Sequence, residues 1–146
     1  MKGVIIGLTL AVVVLVGFLS ISSPKAVLAG EATMYKSPGC GCCGGFASHM
    51  NAMGVQMQVI EGESPMHNKV PSAMRSCHST MMGKYIIEGH MPQEAIQKLM
   101  DEQPDIEGIA LPGMPAGSPG MPGQKQGKWT VHAIHHDGST SEFMQI

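Results

Sequence analysis

Aromatic side chains are scarce in this chain: Phe, Trp and Tyr together number six in 146 residues. The apolar filling of any core must therefore come from other residue types. Basic charge is also sparse. Nine Lys and Arg face 11 Asp and Glu, and no basic patch stands out that would neutralise phosphates, so a nucleic-acid partner is excluded. Long apolar runs are absent except for one at the N-terminus. The length suits one domain once that leader is set aside.

The leader begins Met1-Lys2 and continues with an uncharged apolar run of 18 residues, Val4 to Ile21. Ser22, Ser23, Pro24 and Lys25 interrupt it. Val27 and Ala29 then offer short side chains at the two positions a signal peptidase reads. Cleavage after Ala29, with a mature start at Gly30, is the favoured reading. The run exceeds the ~7–15 residues of an ordinary signal core, and residues 4–21 are long enough to remain as a membrane anchor if uncleaved. In both cases Lys2 stays inside, residues 30–146 face outward, and the membrane is a partner only of an uncleaved chain. Removing residues 1–29 lowers Lys plus Arg from 9 to 7 against 11 acidic residues, a net charge of −4.

Methionine is present in excess: 13 of the 14 lie in residues 30–146, with all seven His. Flexible core filling accounts for about half of them. The others sit in Gly/Pro-rich or polar settings where core filling is a poor explanation.

Ala32 to Lys36 reads as a strand, broken by Ser37-Pro38-Gly39 and followed at once by Cys40-Gly41-Cys42-Cys43. Phe46, Met50 and Met53 recur at helical spacing before a stop at Gly54. Val55, Met57 and Val59 alternate with Gln56 and Gln58 as a half-buried strand. This βαβ unit puts the cysteines at the N-terminus of its helix. Glu61 to Ser76 is polar and irregular, with room for one short helical turn. Cys77 to Met82 and Lys84 to Glu88 read as strands separated by Gly83. Pro92 opens a helix whose apolar face is Ala95, Ile96, Leu99 and Met100, with Pro104 beyond its end. The order β-α-β, linker, β-β-α is that of an α/β, thioredoxin-like fold. Leu111 to Gly123 holds four prolines, four glycines and two methionines, and cannot form a helix or central strand. It reads as a linker, except that a linker seldom places large side chains at matched positions such as Met114 and Met121. Asp137-Gly138, between Trp129–His136 and Ser139–Ile146, signals an added C-terminal hairpin.

Three uses compete for the cysteines. Two structural disulfides suit an exported chain, although adjacent Cys42 and Cys43 do not easily bond to each other. Thiol–disulfide exchange through Cys40 and Cys43 suits a CxxC at a helix N-terminus, where the dipole lowers thiol pKa values. The extra thiols Cys42 and Cys77 would divert a mixed disulfide, however. A metal site using all four thiolates accommodates zinc or an iron–sulfur cluster. Cu(I) is favoured over both, because thioethers and imidazoles are abundant here and suit copper. Closely spaced thiolates can bridge several ions, so the copper is expected to be multinuclear. Among the helpers, strand alternation sends Cys77 and His78 to opposite faces unless the chain bends there, so His78 ligates or merely supports. His90, in the turn Glu88-Gly89-His90-Met91-Pro92, is either a ligand or solvated. His49 reads as a surface residue. His132, His135 and His136 divide between two faces of a strand, which counts against them for the main site.

These residues together resemble the exported CGCC-motif metal-binding family, formerly a domain of unknown function, that includes CopG-type copper-resistance proteins. The resemblance rests on Tyr35-Lys36-Ser37-Pro38-Gly39-Cys40-Gly41-Cys42-Cys43-Gly44-Gly45, Ser76-Cys77-His78, Glu88-Gly89-His90-Met91-Pro92, and the Leu111–Pro115 and Gly117–Met121 segments. It covers residues 32–146. It implies a periplasmic, thioredoxin-like protein of copper resistance with copper held by bridging cysteines. Other periplasmic copper-handling proteins would be its partners. Cys40, Cys42, Cys43 and Cys77 are its expected thiolate ligands, and His78, His90, Met114 and Met121 fall in its other motifs. The segment between Ile60 and Pro71 is short for the family, and the terminal histidines are no part of it. A copper-dependent oxidoreductase, a chaperone and a sink remain open as roles.

Overall fold

The computed structural model describes residues 28–146. The expected leader, including the run 4–21, lies outside the described residues up to residue 27. Among the described residues no helix is long and apolar enough to cross a membrane.

Among the described residues the architecture is mixed α/β, with one seven-stranded sheet and two helices. The elements are β1 (Gly30–Lys36), α1 (Gly41–Ala52), β2 (Val55–Glu61), β3 (His78–Met82), β4 (Tyr85–Glu88), α2 (Gln93–Glu102), β5 (Gly108–Ala110), β6 (Thr130–Ile134) and β7 (Thr140–Gln145). Across the sheet the order is β2-β1-β3-β4-β5-β6-β7. Strands β1 and β2 are parallel, as a crossover through α1 requires, and so are β4 and β5 across α2. The other neighbours are antiparallel.

Strand alternation divides the sheet into two faces. One face presents Ala32, Met34, Met82, Ile87, Ile109 and Val131 to Phe46 and Met50 of α1 and to Ala95, Ile96 and Leu99 of α2. The other buries Ile86, Ala110 and Ile134 beneath Met66 and Val70. The polar segment 61–76 therefore acts as the cover of that second face. It contains two 3-10 turns, His67–Lys69 and Ser72–Met74, where the sequence led us to expect one.

Most expected elements are present within a residue or two, with four corrections. Val59 is 44% exposed although alternation assigns it inward; it sits on β2, which among the described residues is an edge strand with a neighbour on one side only. Strand β3 starts at His78 and β4 at Tyr85, one residue later than expected in each case. Met100 lies at the margin of the α2 face and is only partly buried. Strand β5 was not anticipated: three residues, all buried, are too short to show a period. It joins the C-terminal hairpin to the sheet.

Leu28 is buried at 3% exposure, and its N–H donates to Met53 O at 3.0 Å. A chain beginning at Gly30 lacks this side chain. Burial of a leucine is worth about 1.5–3 kcal/mol, so a chain starting at Leu28 should exceed one starting at Gly30 by that amount in urea unfolding. Equal midpoints would show that Leu28 contributes no packing. In the same assay Gly108→Ala should destabilise by ~3 kcal/mol through overpacking, because a Cβ there would stand 2.0 Å from Ile86 O.

Candidate metal centre

The centre forms where three chain segments meet. The first is the start of α1. Cys40 is the N-cap residue, with extended backbone and no side-chain cap hydrogen bond, and Cys42 and Cys43 occupy the first turn. Cys43 is fully buried, while Cys40 and Cys42 are half-buried. The second segment is the bend Ser76–Cys77 leading into β3. The third is the turn Gly89–His90 between β4 and α2.

Cys77 is the point of contact among them. Its Sγ lies 3.5 Å from Cys43 Sγ, 3.4 Å from His78 Nδ1 and 3.3 Å from His90 Nε2. Cys42 Sγ lies 3.5 Å from Cys40 Sγ. Two groups of donors result, each with its ligand atoms within 4.8 Å of one another: Cys40, Cys42, Cys43 and Cys77; and Cys77, His78 and His90. They share Cys77.

Cys40 and Cys43 are joined by a disulfide, with Cys42 and Cys77 free. A framework of two disulfides is thus not what the chain adopts. The bonded pair is the CxxC pair, and in this oxidised state only Cys42 and Cys77 are available as thiol donors.

His78 and His90 are buried in a form that could bind a metal. His90 is fully buried, so a solvated turn residue is excluded. Its Nδ1 lies 2.8 Å from Pro119 O. A carbonyl can only accept, so Nδ1 carries the proton and the Nε2 lone pair faces Cys77 Sγ. His78 stacks on Phe46 with ring centroids 4.6 Å apart, and packs edge-on against His90 at 4.7 Å. Burial, then the neighbouring His90, lowers the His78 pKa to about 3. Burial also lowers that of His90, opposed by its bond to Pro119. Both rings are therefore neutral at neutral pH, the form that binds metal. His78 Nε2 is buried with no hydrogen-bond partner among the described residues. An unpaired nitrogen buried in a protein core costs free energy; with the ring's other nitrogen, Nδ1, 3.4 Å from Cys77 Sγ, the ring fits a metal site better than a plain core.

The Cys77 thiol is pushed up to about 11, first by burial and then by neighbouring Cys42. The expectation of depressed thiol pKa values at the helix start does not extend to Cys77, which is not part of the helix. A metal binding there must displace a proton.

The loop from Leu111 to Gly123 is pressed against the first turn of α1. Gly120 has φ +83° and sits so close that a Cβ on it would be 2.4 Å from Phe46 N and 2.8 Å from Cys42 O. This contact carries Pro119 to His90 and puts the half-buried Met121 next to Gly120. Met114 has left-handed backbone and is 41% exposed. His49 is half-buried on α1, with its Nε2 unpaired among the described residues, and belongs to neither donor group. His132, His135 and His136 also belong to neither. His135 pairs with Ser141, and His136 bridges Glu107 and Asp105.

Two contributors escaped sequence reasoning. Pro119 acts through its carbonyl, which every residue possesses, so no side-chain signal marks it. Glu88 is 2% exposed; its carboxylate accepts from Ser76 N–H at 2.6 Å and from the Ser79 hydroxyl. Its sequence signal was a lone carboxylate closing the apolar strand Tyr85-Ile86-Ile87. Burial raises its pKa, opposed by those two hydrogen bonds and by the charges of His67 and Arg75.

Peptide mapping of metal-free protein purified in air should recover a Cys40–Cys43 crosslink, and two thiols, Cys42 and Cys77, should react without reductant. A crosslink through Cys77 as the main species would contradict this arrangement.

A family described as "Protein of unknown function, DUF411" matches residues 74–121, a span that contains Cys77, His78, Glu88, His90, Met114 and Met121 but not the three clustered cysteines. No curated protein sequence matches the chain. Two solved structures are similar. Copper resistance protein CopG, form 1, is 31% identical with a TM-score of 0.71, covering 82% of this chain and 98% of that one. Form 2 is 33% identical with a TM-score of 0.68, covering 80% and 97%. At this identity and coverage, with the cysteine cluster in place, the chain belongs to the DUF411 family of copper resistance protein CopG.

Proposed function

We propose that this protein binds copper as Cu(I), in the periplasm, as part of copper resistance. The observation that carries this reading is the convergence on Cys77. Four sulfurs lie within 4.8 Å of one another, and two neutral imidazoles share one of them. Soft thiolates packed this closely can bridge more than one Cu(I), and imidazole suits copper in either oxidation state. The similarity to copper resistance protein CopG supports the choice of copper. In this reading Cys40, Cys42, Cys43 and Cys77 are the thiolate ligands and His78 and His90 add nitrogen. Met121 and Met114 offer thioethers from the loop. Residues 1–29 direct export, by cleavage or as an anchor, and other periplasmic copper-handling proteins exchange the metal. Strands β1 to β4 with α1 and α2 are read as a thioredoxin-like unit, because their sheet order is β2-β1-β3-β4 with β1 and β2 parallel.

Copper redox cycling belongs to the same reading. Two thiolates closing to the Cys40–Cys43 disulfide release two electrons, and each Cu(II) reduced to Cu(I) takes one.

A second reading, thiol–disulfide exchange, is favoured by the Cys40–Cys43 disulfide at the α1 N-terminus. Against it stands Cys42 Sγ, 3.5 Å from Cys40 Sγ, where it would intercept a mixed disulfide. Zinc and iron–sulfur binding would use the same four thiolates.

Competition between the reduced protein and a chromogenic Cu(I) chelator tests the main reading. Cys40→Ser/Cys43→Ser should lose more Cu(I) affinity than the roughly 10–100-fold typical of removing a supporting group. A wild-type protein that surrendered Cu(I) as readily as this variant would end the proposal. Elemental analysis of protein from unsupplemented cells should find copper in excess of zinc and iron. Insulin reduction by metal-free protein would instead favour exchange.

A further inference from the structure

Cys77 and His78 are consecutive, yet both face one site. On a regular strand they would lie on opposite faces. The register assigns His78 to the face that carries α1 and α2, with Thr80 and Met82. Ser79 pairs with Glu88 on the other face, and alternation would send Cys77 there as well. Instead the chain bends at Cys77, and Cys77 Sγ comes within 3.4 Å of His78 Nδ1.

One carboxylate spans the bend. Glu88 Oε1 accepts from Ser76 N–H at 2.6 Å, and Oε2 accepts from the Ser79 hydroxyl. These contacts bracket the Cys77–His78 pair on both sides. From the next residue, Gly89 N–H donates to His78 O at 3.1 Å. Gly89 has φ +81°, and a Cβ there would lie 2.7 Å from Leu111 O and 3.0 Å from Ser76 Cβ. The same strand end thus delivers His90 to Cys77 and clamps the turn that delivers Cys77 to His90.

The geometry points to Glu88 as the positioning residue of the metal centre: a buried carboxylate that braces residues 76–79 from the far face of the sheet, so that adjacent Cys77 and His78 serve one metal. It touches no metal itself. The inference rests on the copper reading of this cluster and adds the device that shapes it.

The test uses the full-length chain and Cu(I) in competition with the chromogenic chelator. Glu88→Ala should lower Cu(I) affinity by roughly 10–100-fold, as loss of supporting groups does at metal sites. X-ray absorption of the copper-loaded variant should show fewer nitrogen neighbours. Glu88→Gln keeps an oxygen for Ser76 N–H and an amide for the Ser79 hydroxyl, and should restore both readouts. Val131→Ala, which loosens the core away from the bend, should change neither. If Glu88→Ala does not fold, Ser79→Ala removes one anchor and should give an intermediate loss. A metal-free readout separates this inference from the copper reading. In a Cys40→Ser/Cys42→Ser background, diamide should close Cys43–Cys77, whose sulfurs are 3.5 Å apart, and adding Glu88→Ala should slow that closure. Unchanged closure and unchanged affinity in Glu88→Ala would overturn the positioning role. A wild-type protein that binds no Cu(I) would overturn the copper reading, and the closure rate would still decide the role of Glu88.

Discussion

Cys77 joins parts of the chain that sequence separates widely. Its sulfur touches the first turn of α1 through Cys43, its own strand through His78, and the turn before α2 through His90. Each partner arrives on a different element: α1 packs on one face of the sheet, β3 is a strand within it, and the turn bearing His90 follows β4. Without the sheet's order, β1 beside β3 and β3 beside β4, the three segments would not share an end. The candidate metal centre is thus a consequence of strand order, and Cys77 is where its groups converge.

Burial sets the protonation states at this point. It keeps His78 and His90 neutral and the Cys77 thiol protonated in the metal-free protein. Neutral imidazoles offer lone pairs without competition from protons, while the thiol must release one to bind. The loop from Leu111 to Gly123 adds a second constraint. Its close approach to α1 at Gly120 fixes Pro119, and Pro119 fixes which nitrogen of His90 is free. A segment with the composition of a linker thereby orients a buried imidazole.

Much of this was legible along the chain. The strand–cysteine–helix order around Cys40, the face of α2 at Ala95, Ile96 and Leu99, and the Asp137-Gly138 hairpin each carry a local period or a turn signal strong enough to survive folding. Val59 and β5 were not legible, for opposite reasons. Val59 follows the alternating pattern but lies on a sheet edge, which no local pattern reports. Gly108–Ala110 is buried on both faces and too short to show any pattern.

The amino-acid sequence by itself determined the kind of chemistry: three thiols in four residues at a helix start, a fourth thiol beside a histidine, and an excess of methionine and imidazole around them. These are properties of residue type and spacing, which local geometry preserves. Only the tertiary structure decided which groups meet. It buried His90, which spacing alone left open to solvent; it bent the chain so that Cys77 and His78 point together; and it paired Cys40 with Cys43. The physical reason is that even the local pairs Cys77–His78 and Cys40–Cys43 are brought to one place by contacts 34, 13 and 29 positions apart, Cys43 to Cys77, Cys77 to His90 and His90 to Pro119. Such contacts are set by packing, and packing leaves no mark on any single stretch of sequence.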